Sequence, residues 1–178
     1  GRRAALRHFR GFDLLTPSES EARAAIQCFD ESLPVVALRL CDETGARNVF
    51  LTLGADGMIA FAPRENAARE RDLNISRMHA DHVPALATHA LDPLGCGDAA
   101  LAAATLSLAV GAPRIVAAFL GSLAAAREAQ RLGNVPVSAA DLRLAMARLH
   151  SARLVYAPDD TLMFSARPRT EAHGVAAS

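Results

Sequence analysis

Residues Leu91 to Ala100 read LDPLGCGDAA, two glycines and two aspartates at the head of a long alanine–leucine run. Glycine lets a backbone turn through positive φ and lets a ligand come close. If the run after Gly97 is a helix, its first N–H groups have no partner, point outward, and are reinforced by the helix dipole. Asp98 then stands beside an anion nest, where a carboxylate can take a proton from an attacking hydroxyl. Phosphoryl transfer asks a protein for this positioning and charge stabilisation more than for covalent chemistry. A turn of the form LD-x-G-C-G can also hold a methyl-donor nucleotide such as S-adenosylmethionine. Three features oppose that reading. Pro93 interrupts the passage from strand to loop, the third glycine position is Ala99, and no acidic residue ends a second strand about 20 residues later.

The composition limits the rest. The chain has 178 residues, 51% hydrophobic and 21% charged, which is enough for one ordinary domain with a core. A formal net charge of zero gives no electrostatic case for binding nucleic acid or an anionic membrane. No apolar run is long enough to span a bilayer, and GRRAALRHFRGF lacks the apolar segment of a secretory leader. All 19 basic residues are arginine, so neither a phosphate-loop lysine nor a Schiff-base lysine is present. Cys28, Cys41 and Cys96 have no metal-type spacing, and reduced thiols in a cytoplasm are the expectation.

The elements that must position the turn can be read from pattern. FDLL (Phe12 to Leu15) predicts a buried strand ended by Thr16-Pro17. Ser18 predicts a helix cap with Glu19 and Glu21 in the first turn. A second helix is predicted from near Glu31-Ser32 to Gly45, with Leu33, Val36, Ala37 and Leu40 on one face. NVFLTL (Asn48 to Leu53), the turn GADG and MIAFA predict a two-strand hairpin. Residues 63–74, with Arg64, Arg69 and Arg71, predict a solvated loop, and Ile75 to Ala90 offers short strands at best. His79, Asp81, His82 and His89 match no zinc spacing and predict an exposed polar connection. Helices follow from Gly97 to Gly111, with Leu101, Thr105 and Leu108 on one side, and from Pro113 to Leu132. The latter should bury Ile115, Phe119, Ser122, Ala126 and Ala129. A last helix runs from a Ser138 cap to about His150, and 158–178 predict a loose polar tail. Strands alternating with helices argue for α/β with parallel strands, whose ligands sit at strand carboxyl ends near helix N-termini.

Four segments in order carry a family resemblance: LLTPSESEAR (Leu14 to Arg23), TLGADG (Thr52 to Gly57), DPLGCGD (Asp92 to Asp98) and LGSLAAAREAQRLGNVPVS (Leu120 to Ser138). Over residues 12 to about 150 the chain resembles the C-terminal half of PfkB/ribokinase-type carbohydrate kinases, whose signature runs Asp-Thr-x-Gly-Ala-Gly-Asp. RLGNVPVSAADL is most similar to the heptose-phosphate kinase domain of ADP-heptose synthesis. The resemblance implies the C-terminal part of a three-layer, mostly parallel ribokinase-like sheet over residues 1–157. It implies ATP and Mg²⁺ as cofactors and a sugar or sugar phosphate as substrate. Asp98 would be the catalytic base, and the amides of Gly95, Cys96 and Gly97 the anion hole. Thr52, Gly54 and Gly57 would line the ATP phosphates and ribose, Ser122 the adenine side, and Glu21 would order Mg²⁺ through water.

The chain departs from that pattern in places. Ser18 replaces an asparagine, Pro93 and Leu94 replace two threonines, Cys96 replaces an alanine, Ala100 an aromatic and Ser122 an asparagine. The family's N-terminal half, with most of the sugar pocket, has no counterpart here. The exposed sheet edge would then favour a homodimer, and a non-catalytic binding or dimerising kinase half is the alternative function.

Overall fold

A computed structural model of the chain describes residues 3–64, 78–87, 89–133 and 135–156. They fall in two units, 1–142 and 143–178. Predictions for 65–77 and for the 158–178 tail, Arg69 and Arg71 included, lie outside the described residues.

In the first unit, β1 is Leu14–Leu15, α1 Glu19–Ile26, α2 Leu33–Thr44, β2 Asn48–Thr52, β3 Met58–Pro63, β4 Met78–Val83, α3 Cys96–Ala109 and α4 Arg114–Ala129. A final helix, α5, runs over Ala139–Tyr156 and continues into the second unit. A short 3-10 helix at Arg3–His8 precedes β1. The strands form one sheet in the order β1-β2-β3-β4.

Strand residues alternate between two cores. Leu15, Val49, Leu51 and Phe61 face α1 and α2, joining Val36, Ala37 and Leu40. Leu14, Phe50, Met58 and Ala60 face α3 and α4, joining Ala100, Ala104, Ala117 and Ala118. Period-two alternation with apolar residues on both faces is what a sheet covered by helices on each side requires. The three-layer α/β arrangement is therefore as expected.

Several details differ from the sequence expectation. The sheet is mixed rather than mostly parallel: β1 and β2 are parallel, whereas β2–β3 and β3–β4 are antiparallel. The cause is local, because a connection as short as GADG can join only antiparallel neighbours. β1 is shorter than FDLL, and Phe12 is half exposed. The histidine segment is a strand, not a loose connection. Its Asp81 takes both Nε and a terminal nitrogen of Arg114 at 2.9 and 2.7 Å. On α4, Ile115 is exposed, whereas Ser122, Ala126 and Ala129 are buried. On α3 the buried side is Ala100, Ala104 and Ser107, so Leu101 and Thr105 lie outside the core.

Small residues set how closely α3 and α4 approach. A Cβ added at Gly121 would lie 3.1 Å from the Ala100 carbonyl oxygen and 3.4 Å from the Ala104 Cβ. A Gly121→Val substitution is therefore expected to lower stability by about 1–3 kcal/mol through overpacking, seen as a lower urea midpoint with an unchanged m-value.

The caps are as the sequence predicts. Ser18 accepts the Glu21 amide while the Glu21 carboxylate accepts the Ser18 amide, a complete capping box at α1. At α5, Asp141 Oδ2 accepts the Ser138 hydroxyl and amide at 2.7 and 2.9 Å, and Oδ1 accepts a hydrogen from Arg131. The Ser138 hydroxyl first, then its amide and Arg131, hold this carboxyl at about 2, down from 3.8. A depressed acid contributes stability above its ordinary range and loses it as pH falls through the folded value. Wild-type urea midpoints should therefore fall from about pH 4 towards pH 2 more steeply than those of Asp141→Asn; parallel curves would discount the Asp141 cap.

Candidate active site

Two turns meet at the carboxyl ends of β1 and β2, and the first turns of α3 pack on the same sheet through Ala100. The parallel pairing of these strands brings Thr16–Ser18 beside Thr52. Ser18 and Thr52 form a parallel bridge, and the Thr52 amide donates to the Pro17 carbonyl at 3.0 Å. Ala100, two residues beyond Asp98, packs in the same buried cluster as Phe50 and Met58, which flank the Thr52–Gly57 turn.

The turn before α3 is organised by Asp92. Its Oδ1 accepts the Leu94 amide at 3.0 Å, an Asx-type turn, and its Oδ2 accepts the Gly133 amide at 3.2 Å. The Leu91 and Asp92 amides both donate to the Ala129 carbonyl, at 2.7 and 3.2 Å. Asp92 thus fixes the turn to the end of α4. Sequence reasoning placed this residue in the motif without a role; an aspartate two residues before a required turn amide is the signal that identifies it.

Gly95 is the N-cap of α3, at φ 85° and ψ −14°. An L-residue there would sit in the left-handed region, which is why glycine stands at this position. The helix begins when the Ala99 amide reaches the Gly95 carbonyl at 2.9 Å. Among the described residues the amides of Gly95, Gly97 and Asp98 make no hydrogen bond, whereas the Cys96 amide closes a weak turn on the Pro93 carbonyl at 3.3 Å. The donors available to an anion therefore include the Asp98 amide, which the sequence did not single out, and the Cys96 amide is partly engaged. Asp98 is exposed, and its carboxylate has no partner among the described residues.

The Cys96 thiol is not an activated nucleophile. Burial, then the Glu128 and Asp92 charges, raise it above its ordinary value and outweigh its backbone hydrogen bond. Glu128 on α4 is itself 2% exposed, and neither carboxyl oxygen has a hydrogen-bond partner among the described residues. A buried carboxyl in an alanine-rich helix carries no periodic signature in the sequence.

The Thr52–Gly57 turn closes through Leu53 N to Gly57 O at 2.8 Å and Gly57 N to Gly54 O at 3.2 Å. The His82 Nε2 sits 2.9 Å from the Asp56 carbonyl oxygen, tying the turn to β4. A shallow cleft of about 410 Å³ lies beside it, lined by Ser18, Glu19, Ser20, Arg23, Thr52 and Gly54. Arg23 is not free to meet an anion there: it pairs with Glu19 and donates to the carbonyls of Phe29 and Glu31. Ser122 lies within α4 at 7% exposure, so it presents little surface to a ligand.

Glu21 is exposed, with Oε2 engaged by the Ser18 amide and hydroxyl at 2.9 and 2.8 Å. Among the described residues, no three His, Cys, Asp or Glu side chains cluster as a metal site. The second carboxylate oxygen of Glu21 has no hydrogen bond among the described residues. Cys28, Cys41 and Cys96 are all free thiols, and burial, with Asp42, pushes Cys41 up to about 12.

A three-layer α/β unit with a Gly-rich turn opening α3 is a ribokinase-like half-fold. Residues 2–139 match the pfkB family of carbohydrate kinases, and the chain belongs to that family. Among curated relatives, the bifunctional protein HldE of Desulfatibacillum aliphaticivorans is 33% identical over 138 residues, 76% of this chain and 26% of that protein. The HldE of Pelobacter propionicus is 32% identical over 146 residues, covering 80% and 27%. The chain thus spans about a quarter of the length of the curated relatives it matches. Among solved structures, ribokinase from Thermotoga maritima superposes with a TM-score of 0.62 at 24% identity, over 78% of this chain and 43% of that one. Phosphofructokinase-2 from Escherichia coli gives 0.65 at 19%, over 83% and 44%. These superpositions show the fold. No helix among the described residues is long and apolar enough to cross a membrane.

Proposed function

We propose that this chain is the nucleotide-side half of an ATP-dependent kinase acting on a hydroxyl of a sugar or sugar phosphate. The observation that carries the reading is the exposed carboxylate of Asp98, without a partner among the described residues, beside the Gly97 and Asp98 amides, which make no hydrogen bond among them either, at a helix start. Family membership and the HldE relatives support it, the latter favouring a heptose phosphate among sugars.

Asp98 accepts the proton of the attacking hydroxyl. The amides around Gly95–Gly97, with that of Asp98, hold the migrating phosphoryl group, and the α3 dipole adds to their pull. Thr52, Gly54 and Gly57 would border the phosphates and ribose; the resemblance assigns Ser122 to the adenine side, although its 7% exposure leaves it little surface to offer. ATP would supply the phosphoryl group, and Mg²⁺, when bound, would neutralise charge in a chain that has no lysine. Glu21, whose second carboxylate oxygen has no hydrogen bond among the described residues, would help hold the ion through water. Three free thiols fit a reducing cytoplasm.

Titration calorimetry tests the reading. Mg·ATP should release binding heat and S-adenosylmethionine should not. Binding of S-adenosylmethionine alone would overturn it, and ATP binding without phosphorylation of any sugar by the intact protein would favour a non-catalytic half.

A further inference from the structure

Glu128 has no part in the phosphoryl transfer proposed above, yet it stands behind the turn. α3 and α4 form a hairpin joined by residues 110–113, in which Gly121 packs on Ala100 and Ala104. About two helical turns beyond Gly121, α4 reaches Glu128; two turns back from Ala104, α3 reaches Gly97. Glu128 therefore lies against the first turn of α3. Its neighbour Ala129 gives its carbonyl to the Leu91 and Asp92 amides, at the entry to the same turn. The Glu128 side chain is buried, and neither carboxyl oxygen is hydrogen-bonded among the described residues. Burying a carboxyl without a partner costs stability, whereas an apolar residue would fill the place without that cost, as Ala124 does on the same face. The charged groups around it do not offset it. Asp92 is itself acidic and spends its two oxygens on the Leu94 and Gly133 amides. On α4, Arg131 pairs with Asp141, and Arg127 donates to the Gln130 side chain. The Cys96 thiol, in the first turn of α3, registers the result: burial first, and Glu128 next, raise it above its ordinary value.

We propose that Glu128 is a specificity residue of the GCGD turn: its carboxylate opposes the amides of the helix start from behind, so the turn accepts a phosphate group that brings its own cation and disfavours a bare one. A charge in the interior is screened less than one in water, so it reaches the turn although it touches no ligand. Asp98 adds a second acid at the outer side of the same turn. Metal-free ATP carries more negative charge than Mg·ATP and is therefore repelled more by both. The choice of nucleotide as ligand rests on the kinase reading; the field of Glu128 at the turn does not.

The test compares the full 178-residue chain with its Glu128→Gln and Glu128→Leu variants. Calorimetry is run with ATP in the presence of a chelator and with Mg·ATP. Both variants should bind metal-free ATP at least about threefold more tightly and Mg·ATP by a smaller factor, so the preference for the magnesium complex narrows. Leucine suits the apolar surroundings and serves where glutamine disturbs folding. A purely structural Glu128 would move the urea midpoint and leave that preference as it was, which would overturn the proposal. A second readout needs no nucleotide. Alkylation of Cys96 by iodoacetamide, followed against pH by peptide mass spectrometry, should set in at lower pH in both variants, because a charge that raises the thiol is gone. An unchanged Cys96 profile would overturn the proposal whether or not ATP binds. Absence of ATP binding in every form, with the profile shifted, would count against the kinase reading and leave the field of Glu128 established.

Discussion

Asp98→Asn is expected to lower phosphoryl transfer by about 10²–10⁴-fold while leaving Mg·ATP affinity little changed. The asparagine keeps the shape of the side chain and the amides of the anion turn. It removes only the group able to accept the hydroxyl proton. Asp98 has no hydrogen bond or ion pair among the described residues, so nothing structural depends on its charge beyond a favourable place in the first turn of α3. Stability should therefore shift by less than about 1 kcal/mol, the size of a single helix-dipole contribution. Single-turnover transfer from ATP to sugars and sugar phosphates, in whichever assembly of the chain is active, measures the effect. Calorimetry of the same samples measures binding. A variant with near wild-type transfer would remove Asp98 from the mechanism.

Gly57→Ala should be the most damaging single change in stability. Gly57 sits at φ 90° and ψ −131°, a conformation that side-chain-bearing residues rarely adopt. A Cβ built there would lie 2.2 Å from the Val83 carbonyl oxygen and 2.6 Å from the Ala85 amide nitrogen. Both obstacles are backbone of β4 and its exit, so no side chain can swing away. Backbone strain and overpacking together set a cost of about 2–6 kcal/mol, a large share of the stability of an ordinary domain. Urea unfolding reads that cost directly. Because the turn also carries Gly54 and follows Thr52, nucleotide affinity should fall in any fraction that still folds. A loss below about 1 kcal/mol would mean that β4 yields at this point, contrary to the close packing described.

Much of this was legible because the signals are local. Ser18 announces a helix cap with Glu21 in the first turn, Gly45 ends α2, and NVFLTL-GADG-MIAFA is a hairpin by composition. What a periodic pattern cannot give is which side of a helix faces the core. Leu101, Thr105 and Leu108 are the larger residues of α3, yet Ala100 and Ala104 are buried, because only small residues let α4 come close. Ile115 was expected inside for the same reason and lies outside. The antiparallel pairing of β2 with β3 follows from that hairpin, whereas alternation of strands and helices along a chain does not give the direction of β4. At the site, the GCGD turn and its exposed carboxylate were visible in ten residues. The part played by Asp92 was not, because its second partner, Gly133, lies 41 residues away.

That tether has a mechanical corollary. With one carboxylate holding the turn at Leu94 and at the end of α4, and the neighbouring amides fastened to Ala129, the GCGD turn is an anvil rather than a jaw. In the proposed phosphoryl transfer, any closing stroke would then belong to whatever carries the sugar. Substitutions at Gln130 or Leu132, beside Ala129 and Gly133, would misalign the turn by moving what it is fastened to.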